Sequence, residues 1–250
     1  VMRRDIEVDH RHLDPHRAVR VVDADVRVDE ALVRALLGGL EAGAALSWAA
    51  PTPAEPGVER GLLVQSAHSF EVLDAVSPGA APLCGKAMAL SPAAMEVLRA
   101  LPDCVGEDLE LSLALHRRGL RVRQVARAHI PGFRPAADAH ARFARWMQVL
   151  RAHRGGLFPS VPIFFACTPV LLLAAVLCAS LPLTGLVAAV VLARQLLSLR
   201  LEGRLSLWWL PGEALLLASW LHALRLGSKV TWRGRVLHLG PSGALCEVAR

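Results

Sequence analysis

The sequence predicts an α/β domain with a mostly parallel sheet, followed by C-terminal transmembrane helices. In residues 1 to about 155, short apolar runs alternate with segments of helical periodicity, which is typical of strands joined by helices. Residues 161 to about 226 are strongly apolar. A hydrophobic content of 54% and a mean hydropathy of +0.40 are also high for a soluble protein, so a membrane portion is expected.

The first part begins with a strand and a helix. Residues 18–22 (AVRVV) are a short apolar run that predicts a buried strand. Residues 29–42 predict a helix, because leucines recur at four-residue spacing and Gly43 follows as a stop signal. These leucines are Leu32, Leu36 and Leu40.

Capping residues and further apolar runs predict the other elements of this part. Ser91 followed by Pro92 predicts the start of one helix, and Gly119 predicts the end of another over residues 108–118. Further strands are predicted at residues 45–49, 61–65, 88–90 and 120–125.

The second part predicts a membrane hairpin. Residues 161–181 carry no charge over about 20 residues, which is long enough to cross a bilayer, and residues 186–199 continue the apolar pattern after a turn at 182–185. Arginines on both flanks place those flanks in the cytoplasm by the positive-inside rule. They are Arg142, Arg145, Arg151 and Arg154 before the hairpin, and Arg194, Arg200 and Arg204 after it. A third segment, 205–226, is broken around Glu213. Its sequence fits an interfacial helix and a third membrane span equally well.

Net charge and cysteine content exclude some kinds of site but do not identify the function. The net charge of +6 suits an anionic lipid surface or an anionic substrate such as a nucleotide diphosphate, and decides between neither. The five cysteines have no paired spacing, which argues against a disulfide framework or a zinc site.

Two acidic residues, Asp23 and Asp25, follow the first predicted strand. A D-x-D sequence at a strand end projects its carboxylates toward the edge of a parallel sheet where ligands bind. Hard oxygen ligands of this kind suit Mg²⁺ or Mn²⁺ bridging a diphosphate. The alternative is an acidic turn before a helix, in which Asp29 caps the helix.

Another acidic pair, Glu107 and Asp108, opens the helix predicted at 108–118. The dipole of a helix N-terminus favours the ionised form of such a carboxylate, which a general base acting on a hydroxyl requires. Ordinary N-capping by either residue is the alternative.

The stretch RFARW places Arg142 and Arg145 one helical turn apart, next to Trp146. One interpretation has the arginines on a diphosphate and Trp146 lining an acceptor pocket. The other is an interfacial anchor helix with snorkelling arginines and a tryptophan at headgroup level, and both can hold together. Separately, Gly85 precedes a short strand and either allows close approach of a ligand to the backbone or is a plain turn.

The order of these motifs resembles the ceramide glucosyltransferase family and its bacterial relatives, among the family-2-type and family-21-type lipid glycosyltransferases. The matching pieces are DAD at 23–25, GKAM at 85–88, ED at 107–108 and RFARW at 142–146, followed by the apolar segments. The stretch VTWRGRVLHL at 230–239 is similar to the tryptophan-arginine tail of such enzymes. The resemblance covers the chain from about residue 20 and implies a nucleotide-diphospho-sugar transferase fold of the GT-A type.

The resemblance also implies roles for single residues. Asp23 and Asp25 would hold a divalent metal, Mg²⁺ or Mn²⁺, and the diphosphate of a UDP-sugar. Asp108 would be the base that deprotonates a lipid hydroxyl, giving direct displacement with inversion at the sugar carbon.

The remaining motif residues would surround these groups. Arg142, Arg145 and Trp146 would bind the diphosphate and border the acceptor at the membrane surface. Gly85, Lys86 and Glu107 would lie on the acceptor side.

The family carries an earlier part, with a membrane helix and a first βαβ unit bearing another Asp, so we expect this chain to be truncated at its N-terminus and its sheet to be incomplete. The expected domains are a partial catalytic domain (1–140), an interfacial helix (141–158), membrane-spanning or re-entrant helices (159–226) and a cytoplasmic tail (227–250).

The expected activity is transfer of a hexose, from UDP-glucose, to a lipid hydroxyl such as that of ceramide. It would take place at the cytoplasmic face of a bacterial inner membrane, with no nucleic-acid partner. Alternatives are a UDP-N-acetylhexosamine donor, a hopanoid or polyprenyl-lipid acceptor, or an inactive membrane remnant. A small transport protein fits poorly, since the spans have few polar groups.

Overall fold

The computed structural model divides the chain into two units, Val1–Ala54 with Val72–Pro131 and Glu55–Glu71 with Gly132–Arg250. It describes residues 19–23, 26–53, 58–76, 82–102, 104–130, 135–232, 235–240, 243 and 245–247.

The first unit contains the predicted strands and helices around one sheet, apart from the strand predicted at 61–65. Its elements are β1 (Val19–Val22), α1 (Glu30–Glu41), β2 (Leu46–Pro53), β3 (Ala87–Leu90), α3 (Pro92–Arg99), α4 (Glu107–Arg117) and β4 (Val122–Ile130), and α2 (Val58–Val76) ends in it. The predicted cap at Ser91 is confirmed, since its side chain accepts a hydrogen bond from Ala94 N at 3.3 Å. Asp29 caps α1, as the alternative interpretation of the acidic stretch expected, and accepts from Leu32 N at 2.8 Å. Gly119 takes a φ of 68° just beyond α4. A buried cluster packs α1 against the sheet, and it includes Leu32, Leu36, Ala49, Ala87 and Ala89.

The sheet is mixed, and the expected mostly parallel sheet is wrong for the described strands. The strand order is β1-β3-β2-β4, and only β2 and β4 pair in parallel. Strand β3 runs antiparallel to both β1 and β2. Alternating strands and helices predict an α/β domain, but they do not fix the direction of a strand that follows a connection as long as the one between β2 and β3. As a consequence, the end of β1 and the start of β3 meet at one edge, with Val22 opposite Ala87.

The strand predicted at residues 61–65 is wrong, because these residues lie in the 19-residue helix α2. A short run of apolar residues shows no periodicity, so the sequence pattern alone cannot distinguish a strand from a buried helix. Within the run, Leu62, Leu63 and Val64 are all buried, and so is Gln65 at its end. Because successive positions are buried, the run contains no exposed polar residues at the spacing that would have indicated a helix.

The second unit consists of helices and a small C-terminal sheet. Its elements are α5 (Ala136–His153), a π-helix (Val161–Phe165), α6 (Thr168–Cys178), α7 (Leu181–Glu202), α8 (Trp209–Leu226), β5 (Lys229–Trp232), β6 (Arg235–Leu239) and β7 (Leu245–Glu247). The three strands are antiparallel, in the order β5-β6-β7. The side chain of Gln148 on α5 donates to the carbonyls of Gly227 at 3.0 Å and Lys229 at 2.6 Å, which attaches the sheet to this helix.

The helix boundaries in the apolar segments differ from those of the predicted hairpin. Residues 161–181 do not form one continuous helix: the π-helix and the 11-residue α6 are separate, and α6 measures about 16 Å, roughly half the thickness of a hydrocarbon core. The turn lies at Ala179 and Ser180, not at 182–185, so α7 begins earlier and reaches 22 residues. Within the described residues, α7 is the one helix long and apolar enough to cross a bilayer, with a mean hydropathy of 1.6.

Two charged residues of the apolar segments pair inside the second unit. Arg194 Nε of α7 lies 2.9 Å from Glu213 Oε1 of α8, and the two side chains are 6% and 0% exposed. The other oxygen, Oε2, accepts a hydrogen bond from Thr168 N at 2.9 Å, at the start of α6. Arg194 therefore lies within α7 and not on its flank, and its charge is neutralised by Glu213 of α8.

Helices α2 and α8 meet at two glycines. A Cβ on Gly212 would overlap the carbonyl oxygen of Gly61, and a Cβ on Gly61 would lie 2.8 Å from the carbonyl oxygen of Trp208. Small residues at a crossing let two helix backbones touch, whereas any side chain would force them apart.

Replacing Arg194 by Met should lower the free energy of unfolding by about 3–5 kcal/mol, because Glu213 would be left charged and buried. The double variant Arg194→Met/Glu213→Gln should recover most of this loss, since the amide oxygen of Gln can still accept from Thr168 N. The measurement is the midpoint of thermal unfolding in detergent, followed by tryptophan fluorescence. Equal midpoints for the single and double variants would contradict the pairing.

Gly212→Ala should destabilise the protein by about 1–3 kcal/mol, the usual cost of overpacking a close contact. Gly185→Ala is the matched control, because Gly185 lies in α7 and a Cβ there meets nothing within 4 Å. We expect this control to be neutral or up to about 1 kcal/mol more stable, from the higher helix propensity of alanine. The same unfolding midpoints compare the two variants, and equal effects would refute the proposed steric cause.

Candidate active site

The described residue of the D-x-D motif, Asp23, lies directly against Lys86. Asp23 follows β1 and Lys86 precedes β3, and the antiparallel register brings them together. The backbone N–H of Asp23 donates to the carbonyl of Lys86 at 2.9 Å, and Lys86 Nζ lies 2.8 Å from Asp23 Oδ2. The Asp23 side chain is 49% exposed and the Lys86 side chain only 10%. This edge of the sheet therefore presents a carboxylate to solvent with a cation held behind it.

The D-x-D motif is only half described, because Asp25 lies outside the described residues. Among the described residues there is no group of three or more His, Cys, Asp or Glu side chains that could hold a metal ion. The carboxylate of Asp23 is a hard oxygen donor of the kind that Mg²⁺ and Mn²⁺ prefer, and its Oδ2 is paired with the ammonium of Lys86.

Asp108 is buried in the first turn of α4 and bound by two backbone amides. Gly106, with a φ of 86°, is the N-cap of this helix, so the N-capping alternative for Asp108 and Glu107 is wrong. The Asp108 carboxylate accepts hydrogen bonds from Gly85 N at 3.3 Å and from Leu109 N at 2.9 Å. Only 9% of Asp108 is exposed.

The environment of Asp108 raises its pKa from 3.8 to about 7. Burial is the larger cause, because it penalises the charged form, and the neighbouring charge of Glu107 adds to it. Hydrogen bonds from the backbone N–H groups of Gly85, Leu109 and Asp108 itself oppose the shift without cancelling it. The expected ionisation by the helix dipole is therefore outweighed by burial, which favours the protonated form of the carboxyl.

The dipeptide Gly85–Lys86 contacts both carboxylates of the first unit. Its glycine donates to Asp108 through the backbone, and its lysine holds Asp23 through the side chain. A Cβ on Gly85 would lie 3.8 Å from the Asp108 Cβ, so the contact is close without being crowded. One short turn before β3 thus connects the D-x-D motif to the acid of α4.

The residues of the RFARW stretch lie on α5, in the second unit. Arg142 Nη1 lies 3.7 Å from Glu59 Oε1 of α2, whose side chain is 7% exposed. Arg145 is half-buried, and Trp146 is 36% exposed. Sequence reasoning missed Glu59, because the apolar run that follows it was interpreted as a strand. A helical interpretation would have placed this acid in the first turn of α2.

The comparison with known families agrees with the motif order. The model of glycosyl transferase family 21 matches residues 14–245, nearly the whole chain. The chain belongs to glycosyl transferase family 21. No curated protein sequence matches it significantly.

Membership of family 21 confirms the family that the motifs predicted. It makes the protein a glycosyltransferase with a nucleotide-sugar donor and a lipid-type acceptor. The sugar, the lipid and the roles of the single residues stay predictions.

The raised pKa of Asp108 predicts a pH-dependent stability. The folded pKa of about 7 exceeds the unfolded value of 3.8, so the contribution of the protonated carboxyl is complete below pH 3.8 and is lost between pH 3.8 and about 7. Across this window the family 21 protein should lose about 1.4 kcal/mol per pH unit relative to Asp108→Asn, about 4 kcal/mol in total. Unfolding midpoints of both proteins from pH 4 to pH 8 measure this. Parallel pH curves would contradict the shift.

Proposed function

We propose that this family 21 protein transfers glucose from UDP-glucose to a lipid hydroxyl such as that of ceramide, with inversion at the sugar carbon. The observation that carries the proposal is the buried carboxyl of Asp108, whose pKa is raised to about 7. A general base works best when its pKa lies near the operating pH, and this carboxyl meets that condition.

The proposed reaction is a single displacement. The lipid oxygen forms a bond to C1 of glucose as the bond from C1 to the β-phosphate oxygen breaks. Asp108 takes the hydroxyl proton, and UDP leaves with the electron pair. The amides of Gly85 and Leu109 hold the carboxylate oxygens in position, which limits the entropy lost on reaching the transition state.

The donor side is proposed for Asp23 and Asp25. A divalent metal bound there would neutralise charge on the leaving diphosphate. The position of Asp23 supports the role, because its half-exposed carboxylate lies directly after strand β1.

Arg142, Arg145 and Trp146 are proposed to bind the diphosphate and border the acceptor. Arg142 is held by Glu59, and a fixed guanidinium loses less entropy when it binds an anion than a free one. The exposed ring of Trp146 on the same helix suits contact with a lipid.

A membrane location is proposed at the cytoplasmic face of a bacterial inner membrane. Only 17% of the apolar window of α7 is buried within the protein, so most of this surface is available to lipid. Arg200 and Arg204, at the end of α7, agree with a cytoplasmic end under the positive-inside rule.

Membranes that contain the full chain should label ceramide when given radiolabelled UDP-glucose. Asp108→Asn should reduce the rate by roughly a hundredfold or more, because the general base is lost. The matched control is Asp74→Asn, which makes the same change at an exposed residue of α2 and should leave the rate unchanged. Labelling from UDP-N-acetylhexosamine alone, or of another lipid alone, would replace the proposed substrates. Unchanged labelling in Asp108→Asn would remove Asp108 from the base role.

The pH profile tests the same residue independently. kcat/KM should fall about tenfold per pH unit below pH 7, since only the ionised carboxylate accepts a proton. Glu107→Gln should move this acid limb to lower pH, because the neighbouring charge that raises the pKa of Asp108 is removed. An acid limb that stays in place would assign it to another group.

A further inference from the structure

We propose that the second unit holds a binding site for an anionic phospholipid, in a cavity between the end of α7 and the start of α8. The cavity has a volume of about 560 Å³. Its lining residues are Gln195, Arg204, Leu205, Ser206, Leu207 and Trp208. Such a site requires α7 to lie in a bilayer, as proposed above, but it involves neither the donor nor the acceptor of the sugar transfer.

The loop between the two helices is held in place by hydrogen bonds. Helix α7 ends at Gly203, which takes a φ of 70°. The backbone N–H of Ser206 donates to Gln195 Oε1 at 3.2 Å, and the N–H of Trp208 donates to Ser206 Oγ at 3.3 Å. A ligand would therefore meet a wall that is already formed, which reduces the entropy lost on binding.

Three donors at this wall suit a phosphate group. The guanidinium of Arg204 is exposed and has no ion pair among the described residues, and Glu202, the acid closest to it in the sequence, is paired with Arg60 of α2 at 3.5 Å. Arginine binds phosphate oxygens through parallel N–H donors. Gln195 uses only its amide oxygen for the loop, so its NH₂ group remains a donor, and the Ser206 hydroxyl likewise keeps its O–H.

The rest of the cavity wall is apolar and exposed. Leu205, Leu207 and Trp208 are 68%, 63% and 40% exposed, and contact with lipid would remove this apolar surface from water. The Cζ atom of Arg60 lies 5.9 Å from the centre of the Trp208 ring, a distance at which a cation stabilises the ring position. A tryptophan beside phosphate donors matches the headgroup level of a bilayer, where charge and hydrocarbon meet.

An apolar face of α7 leads from the cavity toward the middle of the helix. Leu192, Leu196 and Leu199 follow helical spacing and are 61%, 57% and 48% exposed, and Gln195 lies one turn from both Leu192 and Leu199. From Leu192 to Glu202 the helix covers about 15 Å, half the thickness of a hydrocarbon core. This length suits an acyl chain in one leaflet, so the occupant that fits both parts is a phospholipid and not a soluble anion.

The test measures lipid binding to the purified full chain in a neutral detergent. Dioleoyl phosphatidylglycerol or dioleoyl phosphatidylcholine is titrated, and bound lipid is counted by native mass spectrometry. We expect the first phosphatidylglycerol to bind about tenfold more tightly than phosphatidylcholine, the scale of one charge-assisted hydrogen bond. Arg204→Gln should abolish this preference, and Arg204→Lys should retain most of it because the charge remains. A preference that survives in Arg204→Gln would overturn the site.

The matched control is Arg200→Gln, which removes the same charge one turn earlier. Arg200 does not line the cavity, and its side chain, 74% exposed, is paired with Glu71 at 2.7 Å. We expect the preference for phosphatidylglycerol to stay unchanged in this variant. If Arg200→Gln reduces it as much as Arg204→Gln does, general attraction to an anionic lipid explains the binding and the site is overturned.

Competition with glycerol 3-phosphate separates a lipid from a soluble anion. This molecule carries a phosphate without acyl chains, so it should not displace phosphatidylglycerol at an equal concentration. Displacement at comparable affinity would overturn the assignment to a phospholipid, because the apolar face of α7 would then contribute nothing.

The failure of this site and the failure of the proposed function are distinguishable. Equal binding of both phospholipids to the wild-type chain would overturn the site and leave the membrane location in place. Binding of neither would overturn the membrane location together with the site. No UDP-sugar or ceramide is present, so labelling of ceramide is decided by a separate measurement.

Discussion

The antiparallel pairing of β1 with β3 is the constraint on which the candidate site depends. It brings the end of one strand to the start of the other, and this places Asp23 beside Lys86 although they are far apart in the sequence. The turn that carries Lys86 also gives its glycine amide to Asp108. A carboxylate exposed to solvent and a carboxylate removed from it therefore lie on either side of a single dipeptide. The two proposed roles, donor binding and proton transfer, match this difference in solvation.

In the second unit, a buried arginine and a buried glutamate neutralise each other among otherwise apolar helices. Arg194 and Glu213 neutralise each other, and the spare oxygen of Glu213 binds the first amide of α6, which has no partner within its own helix. The close contact of Gly61 with Gly212 completes the packing of α2 on α8. Polar residues in apolar segments thus determine which helices associate, because each must find its partner out of water.

Local signals in the sequence predicted the parts of the fold that are determined locally. Ser91 caps the helix that it was expected to cap, and the motif order identified the family. The direction of β3 escaped prediction because it depends on a distant pairing. The pKa of Asp108 escaped it because burial is a tertiary property that reversed the effect expected from helix position alone. Likewise, Arg194 is an ordinary flanking charge in the sequence until Glu213 is known to lie beside it.

The hydrogen bonds of Gln148 connect the C-terminal sheet to helix α5. This side chain lies on the same helix as Arg142 and Arg145, and its amide satisfies two carbonyls at the start of the C-terminal sheet. Gln148 is 3% exposed, so water cannot easily replace those carbonyls. The C-terminal strands therefore pack against the helix that carries the arginines and are held to it by these two hydrogen bonds. Loss of β5 would leave Gln148 without one of these acceptors, on the same helix that carries Arg142 and Arg145.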